Sequence, residues 1–183
     1  PEGSGLAWKY KDRFMVASGR NLYPSTRLSP GEIPQFNSLL RVLVEDGGDI
    51  VTGIQMDDLC VIFKEDKIFT MFGEGPNNAG SGAAFSSPRL VSTGVGCIRA
   101  RSVVLGPAGV YFLSRKGLYL LTRAGQVQYV GAKVEAEFET GDVMRGVLEG
   151  DANRIWWFMT ASTASQSDAV YYDYELDVWG TYT

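Results

Sequence analysis

Apolar positions in this chain come in short runs of four or five residues, cut by turns rich in glycine and polar side chains. The clearest case is Gly109–Val130, GVYFLSRKGLYLLTRAGQVQYV. An apolar run, Val110–Leu113, meets a four-residue turn, Ser114–Gly117. A second run, Leu118–Leu121, meets a turn ending at Gly125, and Gln126–Val130 follows. Such runs predict antiparallel strands joined by hairpins. The first two are apolar at odd and even positions alike, so both faces of their sheet are expected to be covered. A sandwich sheet shows polar residues on its outer side. A propeller blade, packed between two others, does not.

The pattern recurs four times. Lys11–Tyr23 has an apolar run, the connection Ser18–Asn21, then Leu22–Tyr23. Leu59–Gly73 repeats it through Lys64–Lys67 and Ile68–Phe69, and the Gly109 stretch through Ser114–Gly117 and Leu118–Tyr119. Arg154–Tyr174 repeats it with a longer connection, Thr160–Asp168, before Val170–Tyr171. The last three hairpins follow similar lead-ins that begin at Gly48, Gly96 and Gly141, 48 and then 45 residues apart. A period of about 40 to 50 residues carrying several strands is the spacing of propeller repeats. The reading is an all-β, propeller-like array of about four antiparallel four-stranded blades, possible as part of a larger propeller, with an irregular β-sandwich as the alternative. The units span about 6–45, 46–93, 94–138 and 139–183, within one domain or fragment over 1–183.

Their outer strands are expected near Leu39–Val44, Phe85–Val91, Val127–Val130 and Val178–Tyr182. Lys133–Glu139 is the best helical stretch, a turn or two with Val134 and Phe138 on one face. Gly73–Gly82, GEGPNNAGSG, reads as an exposed loop. Thr160–Asp168 reads as an extended hairpin tip, and Pro24–Pro34 as a third irregular connection.

Composition narrows the chemistry. The chain has 183 residues, with 45% hydrophobic and 12% aromatic side chains, enough for one sizeable core. Seventeen basic and 21 acidic residues give a net charge of −4 without a basic stripe, which disfavours a phosphate-tracking surface for duplex nucleic acid. No apolar run approaches a membrane span, and the first residues carry no signal-peptide core. Cys60 and Cys97 sit in apolar or glycine-rich strand contexts and read as buried, unbridged thiols. There is no histidine, which removes Ser-His-Asp and Cys-His catalysis, imidazole metal sites and the usual neutral-pH proton carrier.

The remaining candidates each have a plain structural explanation. Asp173, Glu175 and Asp177 alternate in YYDYELDVWG and would suit an acid pair or an oxygen-ligand cation site, but the stretch reads as a hairpin turn with its acids in solvent. Glu45–Asp46, Asp57–Asp58 and Asp151 read as turn acids that satisfy backbone donors. Gly47–Gly48, Gly94–Val95–Gly96 and the glycines of GEGPNNAGSG lack the context of a phosphate cradle. Trp156, Trp157, Tyr171 and Tyr172 would make a sugar- or base-stacking platform, yet at both strand parities they fit the gap between sheets. Arg99 and Arg101 alternate on a lead-in and either line a channel or pair with acids. No catalytic residue, cofactor or metal is predicted.

Three stretches carry a family resemblance. GDIVTGIQMDDLCVIFKEDKIFTMFG resembles a blade with "Gly-Asp-x-Ile-Thr-Gly, then Leu-Val-Val-Phe-Lys, then Ile-aromatic". VGCIRARSVVLGPAGVYFLSRKGLYLL is similar to the following blade, where a Gly-Cys lead-in and a Ser-Val pair precede a "Gly-Val-aromatic-Phe-Leu-Ser, then Gly-Leu/Ile-Tyr" hairpin. AVYYDYELDVWGTYT resembles a closing "Tyr-Asp, then Trp" strand pair. These are features of the β-propeller tail-hub, nozzle or stabilisation proteins of short-tailed bacteriophages and prophages, and the likeness runs from about Lys11 onward. It implies a non-enzymatic structural virion protein, made in the host bacterial cytoplasm, that oligomerises with other tail or connector proteins. Genomic DNA would pass through the ring without sequence-specific binding. A mild negative charge suits a channel part over which DNA slides. The rival reading is a carbohydrate-binding or glycoside-processing propeller, for which no repeated Ser-x-Asp-x-Gly-x-Thr-Trp box is present. A cellular interaction propeller would carry the Gly-His and Trp-Asp signature, also absent.

Overall fold

Tight hairpin loops favour left-handed backbone, and this chain places it at two of its reversals. Lys11 and Asp57 have φ of 49° and 54° between the closing pairs Tyr10–Arg13 and Met56–Leu59. The computed structural model describes residues 6–140, 142–160 and 168–182. It is all-β, with four antiparallel four-stranded sheets, each an up-and-down meander in chain order.

The first sheet holds β1 (Leu6–Tyr10), β2 (Arg13–Ser18), β3 (Asn21–Pro24) and β4 (Val42–Leu43); the second holds β5 (Ile50–Met56), β6 (Leu59–Lys64), β7 (Lys67–Met71) and β8 (Arg89–Thr93). The third holds β9 (Val104–Leu105), β10 (Gly109–Ser114), β11 (Gly117–Thr122) and β12 (Val127–Tyr129). The fourth holds β13 (Asp142–Glu149), β14 (Arg154–Thr160), β15 (Ala169–Asp173) and β16 (Val178–Tyr182). A short helix, α1 (Glu135–Thr140), lies between the last two sheets in sequence, and Val134 and Phe138 are both buried. Among the described residues no helix is long and apolar enough to cross a membrane.

The chain divides into two compact units, Pro1–Ala100 and Arg101–Thr183, with two sheets in each. In the first unit Tyr10, Met15, Ala17 and Leu22 pack with Cys60, Ile62, Phe69 and Met71. Val61, Phe63 and Ile68, of opposite parity, are buried as well, so the second sheet has two covered faces. The same holds for β10, buried at all six positions, as its doubly apolar sequence demands. The first sheet keeps one face partly open, with Phe14 39% exposed.

Two buried cations are handled by main-chain oxygens. The Arg13 guanidinium donates to the carbonyls of Ser25 (2.6 Å), Glu74 (3.1 Å) and Pro76. Lys64 Nζ donates to Val44 O at 2.6 Å and lies over the Phe69 ring. Cys60 and Cys97 are buried thiols, neither in a disulfide.

Several expected strands are displaced. The lead-in Gly96–Ser102 is not a strand. Cys97 N–H donates to Lys64 O at 2.8 Å, and a side chain at Gly96 would meet that oxygen at 2.2 Å, so this backbone is committed to crossing the β6–β7 turn. A 3-10 turn at Ala100–Ser102 follows, and Ser102 Oγ accepts from Leu113 N–H on β10. Arg99 and Arg101 therefore do not alternate along a strand. Leu39–Val44 shortens to Val42–Leu43, because Asn37 Oδ1 caps Leu39 N–H and starts a 3-10 turn at Ser38–Leu40. Phe85–Val91 shifts to Arg89–Thr93. Ser86 bonds back to Phe72 through both backbone and hydroxyl, and Pro88 has no N–H to offer a ladder. Gly141 and residues 161–167 of the predicted hairpin tip lie outside the described residues.

Candidate functional site

Strand β14 sorts its aromatic residues by parity. Ile155, Trp157 and Met159 point into the second unit's core, whereas Arg154, Trp156, Phe158 and Thr160 share the opposite face. Trp157 is fully buried. Its indole N–H donates to Ser102 O at 3.0 Å, and its ring meets Tyr111, Phe138 and Trp179 at centroid distances of 6.2, 6.2 and 5.9 Å. Tyr172 belongs to the same side, stacked on Trp179 at 4.6 Å and donating its hydroxyl to Asp177. Burial, reinforced by the Asp177 carboxylate, raises its pKa.

The other face is open. Trp156 stacks on Phe158 at 6.2 Å and 14°, and approaches the Tyr171 ring at 4.8 Å. Cross-strand partners extend the patch to Val147 on β13 and Gly180 on β16. Gly180 is what makes the surface flat, since a Cβ there would lie 2.3 Å from the Tyr171 ring. Val147, Phe158 and Val178 are 37, 46 and 48% exposed. Polar groups rim the patch. Glu149 accepts from the Trp156 indole at 2.7 Å, and the Arg154 guanidinium lies 5.1 Å above the Tyr171 ring and 3.6 Å from Asp173. An aromatic centre with a charged rim is the composition of a contact surface, for another protein or for a sugar ring.

The four predicted platform residues thus divide in two. Trp157 is core and the half-buried Tyr172 faces the same side, while Trp156 and Tyr171 lie on the open face together with Phe158 and Gly180, which sequence reading did not single out. Strand parity within RIWWFMT separates Trp156 and Phe158 from Trp157, and packing decides which of the two faces stays open.

The carboxylates do not converge. Asp173 is buried at the end of β15 and accepts from the backbone N–H groups of Glu175 and Leu176, closing the turn into β16. Glu175 accepts from the Asn153 side chain, and Asp177 from Tyr172. Asp46 accepts from Lys67, which holds its carboxyl below the usual range. Asp57 and Asp58 form the β5–β6 turn, with Lys11 near Asp58 at 3.6 Å, and Asp151 is exposed in the β13–β14 turn. Among the described residues no group of three or more Cys, Asp or Glu side chains is arranged to hold a metal ion. In GEGPNNAGSG the Asn77 side chain organises the loop by accepting from the N–H groups of Ala79 and Ser81.

The two arginines also part company. Arg99 is exposed and donates to Ile98 O, whereas Arg101 lines an open groove with Val103, Met144, Arg145 and Gly146. Neither a scan of protein-family models nor a search of curated proteins finds a match to this chain.

Proposed function

We propose that the chain is a structural component of a bacteriophage tail, of the tail-hub, nozzle or head-to-tail stabilisation kind, that acts by assembling around the DNA channel rather than by catalysis. The observation that carries the reading is the open aromatic face of the fourth sheet. Four-stranded meanders that bury both faces, as the second and third sheets do, are built to be stacked, and a sheet with one oily face still bare is suited to receive a further surface. The sequence resemblance supplies the biological setting. Its implied partners are further copies of the chain and other tail or connector proteins in the virion, with genomic DNA passing without base-specific contact.

Electron microscopy of the purified full-length product tests this: rings are expected, and a strict monomer at high concentration would count against it. Portal, adaptor and terminase genes beside the coding sequence are a second expected observation. The Trp156–Tyr171 surface favours one alternative, a carbohydrate-binding propeller. A glycan array separates the two, because the assembly reading expects silence.

A further inference from the structure

Several arginines in this fold are committed. Arg13, Arg20, Arg27, Arg123 and Arg154 each hold a carbonyl, a carboxylate or both. Arg101 and Arg145 differ. Both are exposed, both line the same groove of about 540 Å3, and among the described residues neither has a hydrogen-bond or ion-pair partner.

The groove walls are fixed by a buried lock. Ser102, next to Arg101, is fully buried, accepting from Leu113 N–H through its hydroxyl (2.9 Å) and from Trp157 Nε1 through its carbonyl (3.0 Å). Gly146, next to Arg145, lies so close that a Cβ would meet Val104 at 2.4 Å and Ser102 O at 3.0 Å. The two arginines therefore project from segments clamped to one another. Between them, β13 is an edge strand that bulges at Met144, shifting register between Val143 and Arg145, and Met144 is 53% exposed. Val103 and Met144 thus line the groove alongside two guanidinium groups that have no partner among the described residues.

We infer that this groove is a docking site for a short acidic and apolar peptide segment of a protein partner, whose carboxylates pair with Arg101 and Arg145 while an apolar side chain covers Val103 and Met144. Charge complementarity selects that occupant. Guanidinium forks match carboxylates in a bidentate manner, and Val103 and Met144 offer an apolar side chain a surface to cover. A nucleic-acid strand would need many phosphate contacts from a surface that offers two, on a chain whose net charge is −4. Arg145 pairs across the ladder with Phe158, so the groove borders the open aromatic face of the fourth sheet, and the inference stands whether or not the chain belongs to a virion.

A blocked hexapeptide alternating Glu and Leu, titrated into the full chain by calorimetry, tests the inference. Matched probes are the Gln/Leu peptide, the Glu/Gly peptide and a single-stranded hexanucleotide. The Glu/Leu peptide is expected to bind best and to weaken as salt is raised. Arg101→Gln and Arg145→Gln should each weaken it about tenfold, Arg145→Lys less, and Arg89→Gln, exposed on the first unit, not at all. Met144→Glu, which puts a negative charge into the groove lining, gives a second route to the same loss if an arginine variant folds poorly. No binding of the Glu/Leu peptide at millimolar concentration, equal binding by the arginine variants, or tighter binding of the hexanucleotide would each overturn the proposal.

Discussion

At the scale of single residues, the buried polar groups set the sharpest expectations. Arg13, itself buried, supplies the donors for three carbonyls, of which that of Ser25 is fully buried, so Arg13→Met leaves them short of a donor and should cost about 2–4 kcal/mol in a denaturant titration. Arg27→Met, which removes only an exposed pair with Glu74, should change stability by less than about 0.5 kcal/mol. Equal losses would show that the carbonyl cluster is not what Arg13 serves. Tyr10 donates its hydroxyl to Asp58 O and Gly73 O, and burial above all pushes its pKa from 10.0 up to about 12. Its neutral form is the one that folds. The stability it contributes is therefore whole below pH 10 and disappears as the pH climbs through 12. Tyr10→Phe should be about 1 kcal/mol less stable at pH 7 and lose less stability across that window. A wild-type curve as flat as that of the variant would contradict this. Cys60, likewise pushed up to about 12 by burial, should stay unlabelled by a maleimide at pH 7 until the chain unfolds.

At the scale of elements, close approach rather than turn geometry explains the most sensitive glycine. Gly146 sits mid-strand, where a side chain would drive into Val104 and Ser102, so Gly146→Ala should destabilise by about 1–3 kcal/mol. Gly150, at the turn that follows, has nothing within 4 Å of its would-be Cβ, and Gly150→Ala should be close to neutral. Thermal melts of the two variants make the comparison, and similar midpoints would sink it. Elements were also where sequence reading succeeded and slipped. The hairpins of β2–β3, β6–β7 and β10–β11 carry their turns in the local order of residues, where short polar and glycine-containing stretches interrupt the apolar runs. The fourth strand of each sheet was less legible. Val178–Tyr182 falls where its alternation puts it, but Leu39–Val44 lost ground to an Asn37 cap and Phe85–Val91 to the Ser86–Phe72 contact. Edge strands are held on one side alone, so a single competing hydrogen bond is enough to move them.

At the scale of the molecule, two kinds of sheet coexist. The second and third bury both faces, while the first and fourth each leave one face partly bare, and the fourth dresses it in Trp156, Phe158 and Tyr171. If that face is a subunit contact, Phe158→Asp should weaken association by about 30-fold or more while leaving the monomer's melting temperature nearly unchanged. Analytical ultracentrifugation of the variant against the parent reads the difference directly, and unchanged association would move the contact elsewhere. A Trp156→Ala variant should act in the same direction.

What the order of residues determined by itself was the β class, the four-fold repeat and the hairpin turns. All of these follow from short-range periodicity and from which residues accept a reversal. Tertiary structure decided which aromatic residues are buried. Trp156 and Trp157 are chemically identical neighbours, and only the packing of one sheet on another assigns the first to an open surface and the second to a core. It also decided that Arg101 and Arg145, 44 positions apart, stand over one groove, because the Ser102–Trp157 hydrogen bond and the missing side chain of Gly146 bring their segments together.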